Sequence, residues 1–406
     1  MDAGHVFLFY LCETIAAYNY FLFYEDTMKI ITSCNTGVMI WSAMCLLSYI
    51  ERRLCMQNIK YNSISQIHSS IMRGPYQMSI DITNKCNLRC LHCFNRSGEN
   101  PCVENELSDK EIIDFLYDVV RIKPLNICFC GGEPLLRKDL LIKGITIVSD
   151  AGIKASMVTN GILMTAEIAK QLKASNVFQV QVSVDGMGES HNRLRNMEGS
   201  FDKAIQALRY LSDEGIKTAV SFAPTAWNIG DIEKVCNILK EIGVSELRCQ
   251  PLMIMGRGSE NKDTINPSQR QYRELVRTIH RINRELILSN AKFSIQWGDP
   301  IDHLIRFSNY FDGCCMYICV KADGGITPSI YLPITVGNIR RHKLSEYWEY
   351  GMARVWQLKK VVKMESLIRS VSEMNSGADE LVPEAYKDKD IDIDFIDDLL
   401  YKEVEI

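Results

Sequence analysis

Three things are missing from this sequence: an excess of basic charge, an uninterrupted apolar run of bilayer length, and any cysteine after Cys319. With 46 Lys+Arg against 50 Asp+Glu the net charge is −4, so nothing concentrates positive charge on a phosphate backbone, and nucleic acid is excluded as the main partner. Residues 37–50 are apolar but only 14 long and are closed by Glu51, Arg52 and Arg53, whereas a bilayer span takes about 20 residues. They read as a buried helix. The first 24 residues are rich in apolar and aromatic side chains but carry Asp2 and Glu13, where a secretion signal would have basic residues and then an unbroken apolar run. No membrane partner is expected, and the chain reads as cytoplasmic.

What is present supports a large core: 47% of 406 residues are apolar, enough for two or three domains and incompatible with a collagenous or wholly disordered chain. The 15 cysteines are odd in number and scattered from Cys12 to Cys319, in a chain far too long for a small disulfide-stapled scaffold. A reduced compartment with metal or thiol chemistry follows.

From Gln77 onward one unit repeats: a strand-like run, a loop, and a segment with helical spacing of apolar residues. The strand segments are 78–83, 126–130, 153–159, 177–184, 218–223 and 245–250, and the helical ones 109–121, 139–150, 165–175, 201–214 and 231–242. Ser108 and Glu111 have capping-box spacing, and Gly152, Gly215 and Gly243 stand just past helix ends. Strands alternating with helices predict an α/β fold with a parallel sheet and right-handed crossovers, either an open doubly wound sheet or a partial barrel, with chemistry at the carboxyl ends of the strands. Residues 1–70 lack this rhythm and read as a small α+β module. Residues 373–406 hold 12 acidic residues against three lysines and read as a solvated acidic tail.

The richest stretch is Cys86-Asn87-Leu88-Arg89-Cys90-Leu91-His92-Cys93. Three thiolates at C-x-x-x-C-x-x-C spacing, in a loop leaving a strand, can converge on one metal centre, and sulfur ligands select zinc, copper(I) or iron–sulfur. No further cysteine follows at zinc-finger spacing. Three ligands around a four-iron cluster would leave one iron open.

This stretch resembles the hallmark of the radical S-adenosylmethionine (SAM) superfamily. The resemblance implies that Cys86, Cys90 and Cys93 hold a four-iron, four-sulfur (4Fe-4S) cluster. The open iron then chelates SAM, which is cleaved to a 5′-deoxyadenosyl radical that abstracts hydrogen from substrate. His92 would lie near the adenine. Further matches occur in the family's order at strand ends: Gly131-Gly132-Glu133, Asn160 with Gly161, Ser183-Val184-Asp185, and the basic segment ending in Arg195. By resemblance, Glu133 would stand by the SAM ammonium, Asn160, Ser183 and Asp185 by the ribose or methionyl end, and Arg195 by the SAM carboxylate. The likeness covers roughly residues 77–258 and sharpens the fold to a partial (β/α)6 barrel, within a barrel domain at 75–300. Asn228 and Gly256-Arg257-Gly258 are similar to the peptide- and sulfatase-maturing branch.

Residues 301–372 resemble the cysteine-rich extension called SPASM, or Twitch when shortened. They follow its outline from Gly313 through the turn at Asp323-Gly324 to Trp348. Ser329 stands where that family usually has cysteine, so Cys314, Cys315 and Cys319 alone cannot complete a four-thiolate auxiliary cluster. They read as packing residues or, more sharply, as a hydrogen-atom donor. Cys128 and Cys130 share one face of a strand; a redox-active pair is conceivable, and buried packing is the favoured reading. No function attaches to Cys12, Cys34, Cys45 or Cys55.

The inferred assembly resembles enzymes that cross-link or epimerise a ribosomally made precursor peptide, whose leader residues 1–70 would bind by strand addition, with a flavodoxin or ferredoxin as reductant. Two alternatives stay open: a sulfatase-maturase-like or small-molecule radical enzyme, and a non-catalytic metal-binding scaffold.

Overall fold

In each repeat, side-chain alternation sets a strand and an amphipathic stretch sets the helix that covers it. A computed structural model describes residues 73–99, 105–298, 315, 317–368 and 391–398. The expectations for residues 1–70 and for Cys314 lie outside the described residues. The six strands fall where the alternation places them: β1 (Gln77–Asp81), β2 (Asn126–Cys130), β3 (Lys154–Thr159), β4 (Gln179–Ser183), β5 (Thr218–Phe222) and β6 (Glu246–Cys249). Between them run α1 (Asp109–Ile122), α2 (Lys138–Asp150), α3 (Ala166–Ala174), α4 (Gly188–Arg195), α5 (Ser200–Asp213) and α6 (Ile232–Ile242). The Ser108–Glu111 capping box is formed at the start of α1. The short α4 has no counterpart among the helical segments expected from periodicity, because its eight residues carry little apolar pattern.

Every neighbouring pair from β1 to β6 is parallel, so the partial barrel stands. The sheet is wider than six strands. After α7 (Arg257–Glu260) and α8 (Gln269–Leu288), β7 (Ser294–Trp297) adds in parallel beyond β6. At the opposite edge β8 (Tyr317–Val320) pairs in parallel with β1, followed by antiparallel β9 (Gly325–Thr327) and β11 (Gly337–Asn338). The expected turn at Asp323-Gly324 closes the β8–β9 hairpin. The extension therefore continues the barrel sheet.

The outer faces of the strands meet the helices in one core. Ile80, Phe129, Met157, Val182, Val220 and Leu247 are buried there against α-helical residues such as Leu116, Ile145 and Leu208. Gly144 lets α2 approach closely, since a Cβ there would lie 3.0 Å from the Phe129 ring. The inner face is different. Register places Ser79, Cys128, Ser156 and Gln179 on one rung, and Ser183, Ser221, Arg248 and Gln296 on another. The wall of the barrel lumen is thus mostly polar, interrupted by Val158 and Ala219 on the rung of Gln181.

The acidic tail needs a correction over 391–398. β10 (Ile334–Thr335) pairs with β12 (Ile391–Asp392), Phe395 and Ile396 join the core, and Asp394 accepts from Tyr347 Oη at 2.6 Å and pairs with Arg341. Alternating acidic and apolar residues there let one face bury while the other meets arginine. Among the described residues, no helix is long and apolar enough to cross a membrane.

Phe129 is fully buried between sheet and α2. Phe129→Ala should cost about 3–5 kcal/mol, read as a lowered urea midpoint with little change in slope.

Candidate active site

The Cys86–Cys93 loop leaves the carboxyl end of β1 and is fixed mainly through its backbone. Gly132 N–H donates to Thr83 O (2.8 Å) and Glu133 N–H to Lys85 O (2.9 Å), while Glu106 accepts from Thr83 Oγ1 and from Asn84 N–H. Gly131 has φ +130°, and a Cβ there would fall 2.1 Å from Thr83 O. The expected close approach at this glycine pair is therefore to the cysteine loop itself.

A second clamp comes from the segment after β6. Arg257 Nε donates to Cys90 O (3.0 Å) and its Nη1 to Ser97 O (3.2 Å), with Glu99 holding the guanidinium at 2.6 Å. The Arg257 N–H donates to Cys93 O at 2.9 Å. Gly256, at φ +54°, lets this segment press on the loop, since a Cβ would meet Cys93 O at 2.6 Å. The likeness of Gly256-Arg257-Gly258 to the maturing branch does not reveal this role. Nothing local in the sequence shows that it reaches back to residues 90–99.

Cys86 and Cys93 are half-buried, Cys90 is buried, and all three are free thiols. Burial pushes the Cys90 thiol up to about 11, against the pull of Arg195, whose Nη1 stands 3.8 Å from its Sγ. Asn160 Nδ2 lies 3.9 Å from Cys86 Sγ and donates to Asn87 Oδ1 at 2.8 Å.

The residues expected to hold SAM gather around this loop. Asp185, at the end of β4, accepts from Arg195 Nε at 2.6 Å and from Ala223 N–H at 2.8 Å. Burial alone would raise its carboxyl, and Arg195 overrides that and holds it low. Asn228 Nδ2 donates to Asp185 O at 2.7 Å, and His191 Nδ1 accepts from Asp185 N–H at 3.0 Å. Ser183 Oγ accepts from Ser221 at 3.3 Å. Glu133 is fully buried and accepts from Leu135 N–H, Thr159 Oγ1 and Asn160 N–H. Three of its four acceptor positions are thereby filled, so it first ties β2 to β3 and has one position left for a ligand. Burial raises its pKa despite those donors. Burial also lowers His92 to about 4, which keeps its ring neutral, and its Nδ1 is buried without a partner.

The described C-terminal cysteines, Cys315 and Cys319, do not join this group. Cys319, on β8, is in register with Ser79 and shares the inner face with Cys128 and Cys130. Cys315 is buried and its thiol donates to Tyr317 O. Cys236 and Cys249 pack in the core.

A free three-thiol loop at the strand ends of a partial barrel, with a buried orphan imidazole nitrogen and a guanidinium beside one sulfur, fits a site-differentiated iron–sulfur cluster and a polar cosubstrate. Residues 80–239 match the radical SAM superfamily, so the chain carries a radical SAM domain, the part of such enzymes that uses a 4Fe-4S cluster and SAM. The Fe-coproporphyrin III synthase of Methanosarcina barkeri is 29% identical over 301 residues, covering 66% of this chain and 72% of that protein. The mycofactocin maturase MftC of Mycolicibacterium smegmatis is 32% identical over 204 residues, 50% of this chain and 51% of its own. The crystal structure of Streptococcus suis SuiB bound to S-adenosylmethionine shares the fold, with TM-score 0.60 and 16% identity over 84% of this chain and 88% of that one.

Arg257→Ala should leave the helical content intact and lower the iron and sulfide retained per chain, because the backbone of Cys90 loses its side-chain donor; Arg257→Lys should recover part of it. Unchanged iron content in the alanine variant would remove Arg257 from the loop's support.

Proposed function

We propose that this enzyme modifies a ribosomally made precursor peptide. The observation that carries the reading is the lumen wall. Ser79, Ser156, Gln179, Gln181, Ser183 and Ser221 offer uncharged donors and acceptors in rows, suited to a peptide backbone with one donor and one acceptor per residue. Arg248 faces the same space already paired with Glu246 at 2.8 Å. The likeness to MftC supports the same substrate class. A second reading, a tetrapyrrole or other small molecule, draws on the longer stretch shared with the Fe-coproporphyrin III synthase; a multiply carboxylated macrocycle would call for more cations than the described residues of this wall present.

When bound, the cluster supplies the electron that opens the SAM sulfonium and so generates the hydrogen-abstracting species. Cys86, Cys90 and Cys93 would ligate the cluster. Arg195 would orient the SAM carboxylate, Glu133 would accept from the ammonium through its remaining position, and Asn160, Ser183 and Asp185 would meet the ribose and methionyl end. The Nδ1 of His92 would face the adenine. Residues 1–70 would bind the leader peptide, and a flavodoxin or ferredoxin would be the reductant. Of the described C-terminal thiols, Cys319 is the one on the lumen wall and would serve as hydrogen donor if the product is an epimer.

Anaerobically purified protein should carry about four irons per chain, with matching sulfide, and should cleave SAM to 5′-deoxyadenosine under a strong reductant. Cys90→Ala should abolish that cleavage. Zinc without sulfide would overturn the cluster assignment. With a synthetic precursor peptide, solvent deuterium should appear in an epimerised product and be lost in Cys319→Ala; modification of a tetrapyrrole with no change to any peptide would favour the second reading.

A further inference from the structure

We propose that Cys128 and Cys130 form a thiophilic metal site inside the barrel, distinct from the cysteine loop, that takes a d10 cation such as zinc or copper(I). The two sulfurs lie 3.5 Å apart on the inner face of β2. Two metal–sulfur bonds of about 2.3 Å at a tetrahedral angle place sulfurs about 3.8 Å apart, so the pair is close to the bite of a chelate with the strand left in place.

A disulfide is the competing fate, and the strand opposes it. Alternate residues of an extended strand are about 6.7 Å apart, at the far end of the Cα separation a disulfide tolerates, and β2 is held on both sides by β1 and β3. The pair therefore persists as a dithiol. Its surroundings call for a cation. Asp81 is in register with Cys130 on the same rung, and Cys319 faces the lumen from β8 beside Ser79. Burial pushes the Asp81 carboxyl up to about 7, with Lys321 as the opposing positive charge. The Cys130 S–H donates to Cys128, which draws the Cys128 thiol down and pushes Cys130 up. A divalent cation would displace the two thiol protons to solvent and form a neutral dithiolate complex, removing the cost of burying either sulfur as an anion. The remaining coordination positions face the lumen, open to a substrate sulfur, imidazole or carboxylate. An open site of this kind polarises or anchors what it binds.

This inference needs neither the peptide reading nor turnover, and its test uses cadmium as the probe on full-length protein whose 4Fe-4S cluster has been reconstituted. Titration should give one tightly bound cadmium per chain with a thiolate-to-cadmium charge-transfer absorption, while iron and sulfide stay constant. Cys128→Ser/Cys130→Ser should weaken that binding by on the order of a hundredfold, and Cys236→Ser, in the core, should leave it unchanged. Should the double variant fail to fold, either single serine variant carries the same test, with at least about a tenfold loss expected. Cadmium bound equally by the serine variants, bound only as iron is released, or bound without the absorption would overturn the site.

Discussion

The constraint on which the rest of the site depends is the main-chain clamp on the Cys86–Cys93 loop. Backbone donors from Gly132 and Glu133 hold its start, and Arg257 holds its middle and end. A loop that brings three thiols together would otherwise lose much conformational freedom on being ordered. Here that ordering is largely achieved by the fold. The clamps come from segments following β2 and β6, so the loop's shape is tied to closure of the barrel from both sides. The same economy places Glu133 and Asp185: each anchors a strand end before it can meet a ligand.

The lumen adds a second constraint. A parallel sheet covered by helices usually buries apolar side chains on both faces, yet these strands carry most of their apolar side chains outward, with Val158 and Ala219 as inner exceptions. The inner rungs carry hydroxyl, amide, thiol and charged groups, a costly choice unless something polar occupies the space. The thiol-rich side, β8-β1-β2, lies opposite strands bearing amides, hydroxyls and the Glu246–Arg248 pair. The two sides of the lumen are thus chemically different, so any molecule held between them would be oriented as well as bound.

Much of this was legible beforehand. The six strands and five principal helices follow from periodicity, and the three cysteines with their companions at strand ends follow from spacing and order. Three features were not. Strand β7 is four residues with no apolar run to flag it. The clamp by Arg257 joins residues more than 150 positions apart, and no local pattern records such a contact. The tail segment at 391–398 looked solvated because its charge was counted without its partners, Arg341, Tyr347 and His342. In the extension, Cys315 is buried with its thiol on a backbone carbonyl while Cys319 faces the lumen, a division that their nearness in sequence does not record.

The pairing of β8 with β1 has a consequence for how the chain comes to be folded. β1 begins at Gln77 and its partner at Tyr317, so one edge of the barrel's first strand stays unpaired until some 240 further residues have been made. Through that interval it presents an open row of backbone donors and acceptors, with Met78 and Ile80 on one side. Such late, long-range closure is slow. The barrel's vulnerability to mispairing is therefore greatest before its last strands are synthesised, and the C-terminal extension ends that exposure by taking the edge for itself.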